Sequence, residues 1–126
     1  MLPPAAELAV LEALWEGSPR TARELARTLY GDDAASPTAT VQTLLGRLER
    51  RGCVRRDRSE RTHRFTPAAS REAFAGAELA GLAERLSAGS LAPLVSHLID
   101  AGRLSESDLA ALRAKLDEHV AARGGA

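Results

Sequence analysis

The sequence predicts a mostly α-helical chain with one small β-hairpin: a head of three short helices and the hairpin, then a helical tail. Three observations lead there. Apolar residues recur at i, i+3, i+4 and i+7 in segments punctuated by Gly, Pro and Asp turns. The composition is 44% hydrophobic but 3% aromatic, so much of any core must come from Leu, Ala and Val, a balance that favours helices. Just after Gly52 the helical spacing gives way to two short arginine-rich segments that read as strands.

Pro3 and Pro4 lead into a first helix, about residues 5–16, with Leu8, Leu11 and Trp15 along one side, and Gly17-Ser18-Pro19 ends it. Thr21 is placed to cap a second helix, about 22–30, with Glu24 completing a capping box and Ala22, Leu25, Ala26 and Leu29 as its apolar stripe. Gly31-Asp32-Asp33 breaks the pattern. Ser36 as N-cap and Pro37 at the first helical position then open a third helix. Its core face is Val41, Leu44, Leu45 and Leu48; it runs to about Arg51, and Gly52 is a natural C′ residue. Cys53–Arg58 and Thr62–Thr66, separated by Ser59-Glu60-Arg61, form the hairpin, with Val54 and Phe65 pointing inward. This order, over residues 1–67, is that of a winged helix-turn-helix. Pro67 marks the boundary, and residues 68–126 form a three-helix region: about 70–86, 91–100 and 106–122. Leu79, Leu82, Leu86, Leu94, Leu98, Leu109, Leu112 and Leu116 supply its apolar stripes, more than so short a tail can bury alone, which points to a second chain. Ser105 and Asp108 make another capping box.

The formal net charge is zero, but it is unevenly spread. Residues 1–67 hold eleven arginines against nine carboxylates, and residues 68–126 hold six basic against eight acidic side chains. Within 47–64 eight arginines face three acids. A focused positive region of this kind is the electrostatic footprint of a nucleic-acid surface.

Turning Val41, Leu44, Leu45 and Leu48 inward, at about 100° per residue, fixes what the third helix shows to the outside. That face centres on Ala39, Thr43, Gly46 and Arg50, flanked by Ser36, Thr40, Gln42 and Arg47. Thr and Gln can hydrogen-bond base edges, Ala and Thr methyls can touch thymine, and Arg can bond guanine or phosphate. Ser36 and Thr38 stand at the helix N-terminus, which attracts phosphate. Arg55, Arg56, Arg58, Arg61 and Arg64 in the wing can neutralise phosphates, and His63 beside them faces phosphate or solvent. The expected partner is double-stranded DNA. A mid-helix glycine costs about 1 kcal/mol against alanine, so Gly46 has two readings: close approach of the helix to DNA or to a neighbouring element, or tolerance by a well-packed helix.

Other function classes lack support. His63, His97 and His119 fall in different elements, and none pairs with Ser or Cys in a catalytic signature. The lone Cys53 excludes an internal disulfide and a Cys-rich metal cluster, and reads as a small packed hydrophobe. No GxGxxG or P-loop occurs, so no cofactor, metal or catalytic residue is expected. There is no basic n-region and no membrane-length apolar run, which reads as cytoplasmic with no membrane partner. An effector-binding winged helix of MarR or PadR type, and a winged helix that binds only protein, are the competing readings.

Four strings carry a family likeness: LAVLEALW (8–15), TARELA (21–26), SPTATVQTLLGRLERRGCVRR (36–56) and THRFTP (62–67). Together they resemble the penicillinase-repressor (BlaI/MecI/CopY) family, most specifically in TVQTLLGRL, Thr40 to Leu48. The resemblance implies a homodimeric repressor on an inverted-repeat operator, with Thr40, Gln42, Thr43 and Arg47 contacting bases, wing arginines on the backbone, and interlocked tails. It also implies release by a sensor protease, cutting where His97-Leu98 replaces the Asn-Phe of the best-known members. The cysteine motifs of the copper-responsive branch are missing from this tail, and position 39, basic in some relatives, is Ala39.

Overall fold

The computed structural model describes residues 2–31 and 36–124, apart from the Ser36 side chain. Six helices and two strands follow in the expected order: α1 (Ala5–Glu16), α2 (Ala22–Tyr30), α3 (Ser36–Arg50), β1 (Val54–Asp57), β2 (Arg64–Pro67), α4 (Arg71–Leu86), α5 (Ala92–Asp100) and α6 (Glu106–Gly124). The chain divides into two compact units, residues 1–79 and 80–126, with the division inside α4.

In the first unit one apolar cluster joins all three helices and the hairpin. Val10, Leu11 and Leu14 come from α1, Leu25 and Ala26 from α2, Val41, Leu44, Leu45 and Leu48 from α3, and Val54 and Phe65 from the strands. The four α3 residues are buried together, as their spacing requires. Fully burying each such leucine stabilises the head by about 1.5–3 kcal/mol. α1 is more enclosed than its predicted stripe of Leu8, Leu11 and Trp15: Val10, Ala13 and Leu14 are buried too, because α2 and α3 pack around it. Glu7 is also buried, 2% exposed, and its Oε1 lies 3.4 Å from Arg51 Nε, out of line for a hydrogen bond. This ion pair fastens α1 to the end of α3.

Local signals set the helix ends. Thr21 Oγ1 accepts from the Glu24 amide at 3.1 Å while Glu24 Oε1 accepts from the Thr21 amide at 3.1 Å, the expected capping box. Gly52, at φ +78°, closes α3 in a Schellman motif: Cys53 N donates to Leu48 O at 2.9 Å and Gly52 N to Glu49 O at 3.0 Å. The N-cap role expected of Ser36 depends on a side chain outside the described residues.

One expectation for the hairpin needs correction. The strands pair antiparallel, Val54 with Pro67 through Asp57 with Arg64, so the connection is six residues, 58–63, rather than a tripeptide. Asp57 Oδ1 accepts from the Ser59 amide at 2.9 Å, which turns the chain away from the ladder early. A feature that the sequence did not signal lies in the segment after the Gly17-Ser18-Pro19 turn. Arg20 forms a bridge to Phe65, its amide donating to Phe65 O at 3.1 Å and its carbonyl accepting from Phe65 N at 2.8 Å. A single residue carries no strand periodicity, so composition could not reveal it. The bridge pins the start of α2 against the wing.

Residues 68–70 and the start of α4 are held on α1. Trp15 Nε1 donates to Ala69 O at 2.9 Å, the Trp15 and Phe74 rings lie 5.3 Å apart, and the Arg71 guanidinium sits 5.5 Å from the Trp15 ring centre.

In the second unit α5 ends on Gly102, at φ +71°, in another Schellman motif, and Ser105 and Asp108 cap α6 reciprocally. No residue of α5 or α6 is buried in the isolated chain. Leu98 and Ile99 on α5, and Leu109, Leu112, Leu116 and Val120 on α6, are exposed, with Leu116 at 64%.

Candidate nucleic-acid interface

The buried face of α3 leaves Ala39, Thr40, Gln42, Thr43, Arg47 and Arg50 exposed on its other side. Thr43 Oγ1 donates to Ala39 O at 3.2 Å, so its methyl and remaining lone pairs are what it offers outward. A Cβ built on Gly46 meets nothing within 4 Å, which removes close approach to a neighbouring element as the reason for this glycine.

Between α3, the first turn of α2 and the wing runs an open cleft of about 530 Å³. Thr38 and Gln42 line it from α3, Thr21, Ala22 and Arg23 from α2, and Arg56, Arg61, Thr62, His63 and Phe65 from the hairpin. The Arg20–Phe65 bridge is what brings the α2 turn to the wing. The first amides of a helix have no intrahelical acceptor, and the helix dipole places positive charge at that end. Arg23, Arg61 and the α2 N-terminus thus converge on one concave surface whose chemistry suits an anionic backbone.

The structure separates the predicted wing arginines. Strand alternation puts Val54 and Arg56 on the core side with Phe65, and Arg55 and Asp57 on the other side with Arg64 and Thr66. Arg61, in the connection between the strands, lines the cleft, while Arg55 and Arg64 face away from it. Arg64 pairs with Glu60 at 3.7 Å. Arg58 Nη2 lies 2.8 Å from Glu49 Oε2. Arg56 packs its guanidinium 4.8 Å from the Phe65 ring centre, with Nε 3.2 Å from Glu49 Oε1 but out of line for a hydrogen bond. Among the described residues, Arg23, Arg47, Arg50, Arg55 and Arg61 form no ion pair.

Three carboxylates of the head are held ionised. The Arg58 hydrogen bond, helped by the charges of Arg56, Arg58 and His63, holds Glu49 below the usual glutamate range. The amide and hydroxyl of Thr21 do the same for Glu24, and the Ser59 amide and side chain for Asp57. Burial pushes the Cys53 thiol up, which keeps it protonated as a packing group.

Sequence reasoning missed Arg23 as a member of this surface, and named Arg56 only as one of the wing arginines. Arg23 carried a weak signal, standing two residues past the Thr21 cap. Nothing set Arg56 apart from the other wing arginines, because its place depends on strand register. Among the described residues no three His, Cys, Asp or Glu side chains are grouped to hold a metal, and no helix is long and apolar enough to cross a membrane.

Residues 4–118 match the family model described as penicillinase repressor. The chain is 33% identical over 120 residues to the transcriptional regulator BlaI of Mycobacterium tuberculosis, covering 94% of this chain and 85% of that protein. It is 26% identical over 114 residues to a penicillinase repressor of Bacillus licheniformis, covering 90% of this chain and 88% of that one.

Proposed function

The chain belongs to the penicillinase repressor family of transcriptional regulators, which are not enzymes, and on that premise we propose that it is a homodimeric, cytoplasmic repressor that occupies an inverted-repeat operator. α3 enters the major groove and presents Thr40, Gln42, Thr43 and Arg47 to base edges. Thr38, Ser36, Arg50 and the cleft residues Arg23 and Arg61 take the flanking phosphates, and Arg55 extends the basic surface along the wing.

The observation that carries this reading is the cleft: an exposed polar helix face, a helix N-terminus and the arginines Arg23 and Arg61, which form no ion pair among the described residues, meet on one side of the head. The exposed leucine stripes of α5 and α6, with Leu79, Leu82 and Leu86 of α4, support dimerisation, since apolar faces of this extent favour association with a second copy. Two copies place two recognition helices one helical turn apart on the duplex. Release by a sensor protease at His97-Leu98 belongs to the same reading; that bond lies inside α5, so cutting it requires the helix to open locally.

A mobility shift of the full chain on the duplex upstream of its own gene tests the proposal. The expected result is a discrete complex with two chains per site that dissolves as salt rises. Binding that stays flat with salt, or no preference for that duplex over a scrambled one, overturns it.

A further inference from the structure

We infer that Glu49 is a specificity-determining residue: it withholds Arg56 and Arg58 from phosphate and so lowers affinity for duplex of any sequence. This rests on the DNA-binding reading above and deepens it.

Glu49 stands one residue before the end of α3, and its carboxylate reaches out to the wing. One oxygen lies 2.8 Å from Arg58 Nη2 and the other 3.2 Å from Arg56 Nε, so a single carboxylate engages two guanidinium groups. Arg56 is doubly restrained, because its guanidinium also stacks on Phe65. A carboxylate presents the same planar acceptor pair that a phosphate offers to arginine, so Glu49 competes with DNA for these two groups. It also places one negative charge beside the cleft wall formed by Arg56, Arg61 and His63.

The two components of affinity respond differently. Binding to an arbitrary sequence is governed by phosphate neutralisation, which the restraint reduces. Binding to the operator adds base contacts from the exposed face of α3, where Gln42 and Thr43 lie and which Glu49 does not touch. Holding two arginines back therefore widens the ratio of specific to non-specific affinity. A mere strut that positions the wing behaves oppositely: its loss loosens the wing and weakens binding to every duplex.

The experiment compares the full-length wild-type chain with Glu49→Gln, Arg58→Gln and the double variant. Fluorescence anisotropy measures binding to the upstream duplex and to a scrambled duplex of equal composition, over a salt series, and thermal unfolding monitors the fold. Glu49→Met, a second neutral side chain of similar length, guards against a folding defect peculiar to glutamine. The expected result is tighter binding of the scrambled duplex by both neutral variants, with a salt slope steeper by about 0.9 for each arginine that reaches a phosphate. Each such contact adds about a 3.5-fold fall in affinity between roughly 50 and 200 mM salt. The ratio of upstream to scrambled affinity falls, and Arg58→Gln weakens scrambled binding more in the Glu49→Gln background than alone. Unchanged or weaker scrambled binding by the neutral variants overturns the inference while leaving DNA binding intact. Wild-type protein that binds neither duplex in a salt-dependent way overturns the DNA-binding reading, and this inference with it.

Discussion

Replacing Arg61 by glutamine removes a cation from the cleft wall without breaking an ion pair within the described residues, whereas Arg56, Arg58 and Arg64 each have an acid partner. A dimer on an inverted repeat carries the residue twice, so the substitution deletes two phosphate contacts. Each contributes about 0.9 to the slope of log affinity against log salt, so the slope flattens by about 1.8. Over a fourfold rise in salt, from about 50 to about 200 mM, the variant loses about twelvefold less affinity than the wild type, starting from a weaker value at low salt. The assay is anisotropy of a labelled operator duplex, titrated at several salt concentrations, with thermal unfolding as the control for fold. Arg64→Gln is the internal comparison: Arg64 lies on the hairpin face turned from the cleft and is already near Glu60, so its slope change is smaller. A slope for Arg61→Gln indistinguishable from wild type, with unfolding unchanged, refutes the assignment of the cleft to phosphate.

Further outcomes are expected elsewhere in the chain. Gly46→Ala stabilises the head by about 1 kcal/mol by denaturant titration, because the site is open and helical, and it weakens operator binding because the added methyl lies on the groove-facing side. Thr21→Ala costs about 1 kcal/mol through loss of the α2 cap, which lowers the unfolding temperature of a head this size by about 4–8 °C. The same cap holds the Glu24 carboxyl below its ordinary value of 4.5. Its contribution is therefore fully present above that value and fades as pH falls through the lower folded value, so acid unfolding of Thr21→Ala is less steep than that of wild type. Leu112→Glu combined with Leu116→Glu places charges on the exposed α6 stripe. That variant sediments as a single chain and loses operator affinity, while unfolding of the head is unchanged. Trp15→Phe keeps the ring against Phe74 but removes the donor to Ala69 O, destabilising the head by about 1 kcal/mol in the same denaturant assay.

Much of the architecture was legible because it is written in short-range interactions. The Thr21–Glu24 and Ser105–Asp108 boxes span three residues, the Gly52 terminus needs only a left-handed position, and the buried face of α3 follows from Val41, Leu44, Leu45 and Leu48 recurring at helical spacing. The candidate surface was legible in part. The exposed face of α3 followed by subtraction once its core face was known, and the arginine run of the hairpin was visible as charge. Which of those arginines face the cleft was not. Alternation splits Arg55 and Arg64 from Arg56, but that division needs the register with β2, and Arg58 and Arg61 lie in a connection of irregular geometry. The enclosure of α1 was also underestimated, since Glu7 reads as a surface residue until Arg51 is seen beside it.

The sequence alone determined the order of elements, the approximate ends of the helices, the core residues of α2 and α3, and a positive charge concentrated after α3. Each depends on groups within about four residues of one another, or on charge summed over a stretch. Tertiary structure alone decided that Arg20 bridges Phe65 and brings the α2 N-terminus to the wing, that Glu49 holds Arg56 and Arg58, and that Trp15 fastens residue 69. These pairs join segments with no shared periodicity. Coulomb attraction has no direction of its own, so any of the wing's arginines could have met Glu49 until the paths of the backbone brought two of them within reach.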